Sequence, residues 1–541
     1  MRTIGSADTH GEINAVASGA ITKGIPVVVN TDGTVSAVAG TYRNSSFGTA
    51  VQIDGTNNST QVTGCMIGSG KFVVAYRKST DSKGYAKVGT ISGTSITFGS
   101  EFNFSNNLAA TLINVMYISS VDRIVFAYQE NTGNNIGRIV VATPNTSTNT
   151  FDSLSTHYQI HTTNTHTIDS IALAYDAEAP RIICVYRATE DGHSRGRPFK
   201  LNTSDNSLTH GSLALIPKKP ATGGTGIHAQ YPCGLFDTQN NNTVFLFADE
   251  DNSGIATAVQ GYVTNVSGAG TMNWSATTTP LATGATGHSS EATACVLDTD
   301  QNKGVFVSDG FGGTAGVQSG LEMLNIYSRS PDSDVPQNGS ILRFNADLAN
   351  RGQNGQKLGI AYDSTAEKII VFMSDQASNR KEFLKNFYRA DTDLDFFSGS
   401  YKIDVVLYND DASGDRTVFY DSVSDQCVIL YHSNTVDNET GSAYSVAQTY
   451  QNPRATATKK VTTANFLGFA KSGAANGDRV TVQTQGSIIR NKSGLVAGSE
   501  YYVQSDGSLQ TVDNWIPVNS ASTTKVLAGT AISATELKVK E

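Results

Sequence analysis

Three sets of side chains in this chain of 541 residues have types and spacings that could do chemistry. The first is an aspartate that recurs directly behind an aromatic or aliphatic residue, at Asp176, Asp237, Asp298, Asp363 and Asp421. Hydrolysis of a glycosidic bond takes a pair of carboxyls, and the pair can come from distant parts of a chain. Acids in equivalent settings argue for architecture instead: each stands where two apolar stretches meet at a polar turn, where an Asp side chain caps backbone N–H groups. The second set is His157, His161 and His166, spaced by 4 and 5 residues in an extended stretch. That spacing does not bring three imidazoles to one ion without a special loop, so they read as solvated or interface histidines. The third is Asp249-Glu250-Asp251-Asn252-Ser253-Gly254, with the alternating oxygens and glycine turn of the first half of a calcium loop. Ala258, Val259 and Gln260 stand where its later acid would be wanted, so the candidate ligands Asp249, Asp251 and Ser253 are set against a plain polar turn.

The remaining acids considered, Glu190, Asp191, Glu250, Glu291 and Glu322, are isolated, and no arginine cluster stands by to hold an acidic sugar. No G-x-S-x-G elbow, H-E-x-x-H pair or phosphate loop occurs in a supporting context. Neither Trp274 nor Trp515 lies in a Ser-x-Asp-x-Gly-x-x-Trp turn of the sialidase kind. Cys65, Cys184, Cys233, Cys295 and Cys427 lie among apolar neighbours and form no C-x-x-C pair. They read as reduced core thiols rather than a disulfide frame or a metal cage. The expectation is a chain with no catalytic residue, no metal and no cofactor, which performs no covalent chemistry.

The elements that position these residues repeat. An apolar strand ending in a bulky residue and usually Asp, a short polar turn and a second apolar strand recur around Met66, Tyr117, Tyr175, Phe236, Leu297, Tyr362 and Tyr420, at steps of 51, 58, 61, 61, 65 and 58 residues. A third strand follows, as in YAKVGTISG, and a short fourth, as in FGSEFNF. Strand-only repeats of about 40–60 residues mark a β-propeller. Second strands such as RIVFAY and RIICVY are apolar on both faces, as a strand sandwiched between blades requires. The seventh copy lacks a good fourth strand, whereas FGTAVQID at 47–54 is a fourth strand without a blade. Pairing the two closes the ring and leaves no open edge.

The flanks read as pieces of one small module. SGAITKGIPVVVNTDGTV from Ser18 matches SGLVAGSEYYVQSDGSL from Ser493, each with an Asp-Gly hairpin signal between apolar strands. NFLGFAKSGAANGDRVTVQ from Asn465 and KVLAGTAISATELKVK from Lys525 share a start and a strand finish. The expected fold is therefore all-β: a seven-bladed β-propeller at 47–460, inserted in a small β-rich domain formed by residues 1–46 and 461–541.

Net charge is −9 with pI near 5.5, and the densest basic pairs are Lys218-Lys219 and Lys459-Lys460. No basic stripe exists for a nucleic acid. No apolar run approaches the roughly 18 residues of a membrane span, and the N-terminus has neither the basic start nor the apolar stretch of a secretory signal.

The flank pattern of Gly, apolar strand, Asp-Gly turn, strand, Gly-x-Ala and a final alternating strand resembles modules at the ends of tail and fibre proteins of tailed bacteriophages. Propeller phrases such as KFVVAYRKSTDSKGYAKVGTISGTSITFGS resemble repeats in virion proteins of phages from aquatic bacteria. The resemblance implies a virion structural protein of the tail, a fibre, spike or tail-tip component assembled in the host cytoplasm. It implies other tail proteins as partners, a homo-oligomer, and attachment to a host surface polysaccharide through loops rich in Asn, Thr, Ser, Gly and Tyr. Two alternatives stand beside it: a propeller-type glycan depolymerase of the virion, and a free lectin-like interaction propeller.

Overall fold

The computed structural model describes all residues except 1–10, 56–58, 69, 132, 134, 162–166, 218–225, 253, 276–278, 281–292, 309–318, 326–336, 339–341, 345–357, 376–380, 389–415, 434–443, 517–523 and 541. For 279–280, 319–325, 337–338, 342–344, 373–375, 381–388, 433 and 444 the backbone alone is described. The chain forms two compact units, residues 47–451 and residues 1–46 with 452–541.

The larger unit is a seven-bladed propeller. Its innermost strands are Ser59–Gly68, Ala110–Ile118, Ile168–Asp176, Ala229–Asp237, Thr293–Asp298, Gly359–Asp363 and Thr417–Asp421. Each packs on the next, and the last packs on the first. The second strands are the most deeply buried: Phe72 to Tyr76, Ile124 to Tyr128, Ile182 to Tyr186 and Val244 to Phe247 have no exposed surface. Both faces of these strands meet a neighbouring blade, so an unbroken apolar run is what the position selects. The seventh blade is completed by the start of the propeller, where Val51 and Gln52 pair with Ala447 and Val446 and Gly48 N–H reaches Thr449 O at 2.9 Å.

The repeated aspartates work within and between blades. Asp176 accepts the Ala179 N–H of its own turn at 2.9 Å and the Val263 N–H of the next blade at 3.2 Å. Asp237 takes Gln239 and Asn240 N–H at 2.8 and 3.2 Å, and Asn302 Nδ2 of the next blade at 2.9 Å. Both are fully buried, so each is a polar wedge whose acceptors are filled by backbone N–H groups and, at Asp237, by side-chain amides as well.

Two details depart from the sequence expectation. The outer strand is split: Ser95–Phe98 and Phe102–Asn103 both pair with Gly84–Ser92, with the chain stepping aside at Gly99 between them. Strand Arg454–Lys459 pairs with Ala39–Arg43 and belongs to the smaller unit, which moves the end of the propeller from 460 back to 451.

The smaller unit holds two five-stranded sheets of one design. The first is made by Glu12–Val16, Pro26–Val29, Val35–Ala37, Phe466–Ala470 and Arg479–Gln483. The second is made by Ile488–Ile489, Glu500–Val503, Leu509–Gln510, Leu527–Ala531 and Leu537–Val539. Numbered in chain order within each sheet, both run 1-5-4-2-3. Asp32 and Asp506 cap the N–H two residues on, at 2.9 and 2.8 Å. Gly468 and Gly529 hold φ of +145° and +157°, and a Cβ on either would stand 2.0 Å from a carbonyl oxygen of the adjacent strand, Gln483 or Lys538. Both positions therefore require glycine. The flanks are thus two copies of one module, not one module in pieces, with a common core in which Val28 and Phe469 meet Ile489, Tyr501 and Leu537. In chain order the propeller stands between the third and fourth strands of the first copy, where the second copy has residues 511–526.

Candidate functional site

The innermost strands surround a cavity of about 750 Å³. Its wall carries apolar side chains such as Met116, Leu173, Leu235, Ile360 and Val418, with polar surface in nearly equal share. Among the described lining residues the carboxylate is Asp169 and the guanidinium is Arg416, and both stand where an innermost strand begins. Charge is therefore confined to one end of the cavity, its mouth.

A repeated irregularity shapes that mouth. In the first blade pairing jumps from Thr60–Arg77 to Thr63–Ala75, in the second from Thr111–Gln129 to Asn114–Ala127, and in the fourth from Gln230–Ala248 to Cys233–Leu246. Each jump is a β-bulge, an extra residue on the inner strand that re-aims a side chain. The residues concerned, Gln61, Leu112 and Tyr231, hold φ of +54°, +53° and +48°. In the third blade the irregularity lies between Ile168 and Ser170 and pushes out Asp169. All four line the cavity.

The Asp169 bulge sets its carboxylate beside Arg187, at the end of the next strand. Arg187 Nε donates to Asp169 Oδ1 and Oδ2 at 2.8 and 3.0 Å, and Nη2 also meets Oδ2. Nη1 of the same guanidinium donates to Glu250, in the short turn Glu250–Asn252 of the fourth blade. Burial works to lower the Arg187 pKa, but hydrogen bonds and charge from Asp169 and Glu250 outweigh it, so its affinity for the proton is raised. Around this trio, the rings of His193 and His228 lie with centroids 5.3 Å apart and planes tilted by 36°, and Asp251 sits 3.4 Å from His228 Nδ1. Asp191 is held well below the usual carboxylate range, first by its hydrogen bond from Arg195.

The residues singled out from sequence fall mostly elsewhere. Asp249 is buried and caps Asp251 N–H at 3.1 Å, Asp251 caps His228 N–H at 3.2 Å, and Ser253 lies outside the described residues. Among the described residues no group of three His, Cys, Asp or Glu is placed to hold a metal ion. Glu190 accepts Thr167 N–H at 2.6 Å, Glu291 is outside the described residues, and Glu322 lies on a strand opposite Phe306. The cysteines are free thiols, and Cys65, Cys233 and Cys295 share the cavity wall. Burial pushes the Cys65 thiol up to about 12. Burial and the adjacent Cys233 raise that of Cys295.

The histidines are not gathered. His157 Nδ1 meets Tyr128 OH at 2.6 Å, His161 lies edge-on to Tyr186, and His166 is outside the described residues. Burial, aided by the Arg138 charge, lowers the His157 pKa. The unfolded chain then binds a proton at this residue that the folded chain resists, so stability falls as pH drops through the ordinary imidazole range, near 6.5. Thermal melts between about pH 7.5 and 5 are expected to show this decline in the wild type and a shallower one in His157→Phe. Equal slopes would remove His157 as the cause.

No family model and no curated protein sequence matches the chain. In fold it is similar to an α-L-arabinofuranosidase from Fusarium graminearum, at 9% identity over 75% of this chain and 98% of that one, with a TM-score of 0.41. The NanB sialidase from Streptococcus pneumoniae follows at 12% identity, 75% and 70% coverage and a TM-score of 0.37. An exo-β-1,3-galactanase from Clostridium thermocellum gives 9%, 78%, 96% and 0.32. Such likeness concerns architecture alone. The expectation that this chain performs no covalent chemistry is withdrawn, because enzymes share this architecture and the architecture is no argument against a reaction. That expectation read the acids of a propeller as scaffold, yet the similar structures belong to an arabinofuranosidase, a sialidase and a galactanase. Turn aspartates that hold blades together leave the mouth of the cavity free for other acids.

Proposed function

We propose that the protein is a propeller-type glycan depolymerase carried on the particle of a tailed bacteriophage. The observation that carries this is the sharing of Arg187 by two carboxylates from neighbouring blades, Asp169 on the wall of a cavity able to take a sugar and Glu250 beyond it. Glycoside hydrolysis uses such a pair, one protonating the leaving oxygen and the other stabilising or attacking the anomeric carbon. Asp169, on the cavity wall with several hydrogen bonds from Arg187, takes the second role. Glu250 is more exposed, at 41% of its side chain, and would serve the leaving oxygen in its protonated form, with the contact to Arg187 released and the proton drawn from solvent. Water supplies the hydroxyl left on the anomeric carbon and restores that proton.

The tail setting rests on the flank resemblance. The two modules would dock on other virion proteins and on further copies of the chain, and Val496 and Ile532, exposed by 62% and 45%, suit such contacts. The purified full chain, incubated with capsular and O-chain polysaccharides of aquatic bacteria, is expected to release new reducing ends. Retention of a polysaccharide without release would leave a binding propeller and overturn the catalytic reading, and a chain that shows no retention and no release overturns the glycan reading altogether. Mass spectrometry of purified particles checks the setting.

A further inference from the structure

We infer that Gln61, Leu112, Asp169 and Tyr231 form a collar that selects the sugar ring admitted to the cavity, and that it selects an uncharged ring. This rests on the glycan reading above. A left-handed conformation is uncommon for non-glycine residues and, in a bulky one, marks strain that the surroundings must enforce. Elsewhere in the described chain the non-glycine residues of positive φ are nearly all Asn or Asp, such as Asn106, Asn149, Asn206 and Asp122, with Ser82 and Glu367 besides. Gln61, Leu112 and Tyr231 break that rule, and they break it at one place, the heads of inner strands around one opening. A scaffold that needed only the bend would be served by Asn. What the strained residues add is their side chains.

Those side chains suit a pyranose. Around the mouth the blades present Gln61, Leu112, Asp169 and Tyr231 in turn, polar and apolar alternating. The Tyr231 residue is 37% exposed, which leaves ring surface for the C–H face of a sugar, with Leu112 beside it. Among the described residues Gln61 Oε1 is buried without a hydrogen-bond partner, so a turn of its amide toward the opening would gain it a hydroxyl donor. The Asp169 charge is met by Arg187, and Arg416, at the same end, is itself buried and engaged with its surroundings. Among the described lining residues one carboxylate, Asp169, is set against one guanidinium, Arg416, so the described collar carries no net charge with which to draw a carboxylated or amino sugar.

Tyr231→Asn and Leu112→Asn separate collar from scaffold, because Asn takes the left-handed conformation readily. Wild type and both variants would be applied to an array of uncharged, amino and carboxylated oligosaccharides and melted in parallel. The wild type is expected to retain uncharged glycans, and each variant to lose about tenfold in affinity while melting no lower than wild type. Tyr231→Phe, which keeps the ring, is expected to bind as wild type. Retained binding in both Asn variants overturns the collar alone, as does a wild type that prefers charged glycans. A joint fall in affinity and melting temperature makes the residues structural and also overturns it. A wild type that retains no glycan overturns the reading of the preceding section, and the collar with it.

Discussion

Asp169→Asn is expected to reduce polysaccharide cleavage by about 10³-fold while the protein remains folded. Asparagine has the shape of aspartate and keeps one carbonyl oxygen for Arg187, but it brings no negative charge to a developing oxocarbenium centre and cannot attack it. Glu250→Gln is expected to lose turnover to a similar degree, because no proton would reach the leaving oxygen. Residues that act as one unit are not additive, so the double variant should be about as slow as either single one. Arg187→Lys tests the positioning: a lysine point charge cannot hold two carboxylates in the fork of a guanidinium, so turnover should fall with binding largely kept. Initial rates of reducing-end release, with melting curves beside them, read all four. Asp169→Asn at wild-type rate would remove the pair from catalysis. A variant that melts well below wild type would show instead that the trio holds the third and fourth blades together.

The period, the hairpins and the turn aspartates were legible because they answer to local rules. An apolar strand, a capping Asp and a second apolar strand are contiguous, and they recur because every blade solves the same packing problem. The closing strand could be read for the same reason, since FGTAVQID carries the phrase of an outer strand. The mouth of the cavity was not legible. Asp169 and Arg187 are 18 residues apart and Arg187 and Glu250 are 63 apart, so the trio exists only once two blades are side by side. Glu250 was visible only as an isolated acid and as part of a calcium-like run. The bulges hid better, because Leu112 and Tyr231 look like ordinary strand residues in one dimension and differ only in the sign of φ. In the flanks the Asp-Gly turns matched across the chain, but some of the second copy's strands are two residues long, too short for a period-2 pattern to show a complete sheet.

Opening the ring at its seam should cost more than the same chemical change inside it. Asp421, nearly fully buried, accepts Val423 and Ser424 N–H of its own turn at 3.2 Å each and Gly70 N–H of the first blade at 3.0 Å. Asp421→Ala strands those donors and is expected to destabilise by about 3 kcal/mol. Asp176→Ala removes a matching bridge, to Val263, with a comparable loss. The consequences differ, because the third and fourth blades stay joined by an unbroken chain, whereas the seventh and first are joined through the strand that the propeller's beginning lays on Tyr444–Gln451. Gly48 lies in that segment, and a Cβ there would stand 1.9 Å from Thr94 O and 2.1 Å from Thr449 Oγ1. Equivalent close approaches occur at Gly99, to Asn149 O at 1.8 Å, and at Gly211, to Gly270 O at 2.1 Å, so at these points the outer edge of a blade comes too close to the backbone of the next for a Cβ. Gly48→Val must displace the closing strand, and an uncovered strand edge pairs with other chains. Urea unfolding and size-exclusion chromatography are expected to show Asp176→Ala as less stable but monodisperse, and Asp421→Ala and Gly48→Val as less stable and prone to aggregate. If Gly48→Val runs as a monodisperse species of wild-type stability, the closing strand does not hold the ring. If Asp176→Ala aggregates as readily as the seam variants, the seam is no weaker than any other junction.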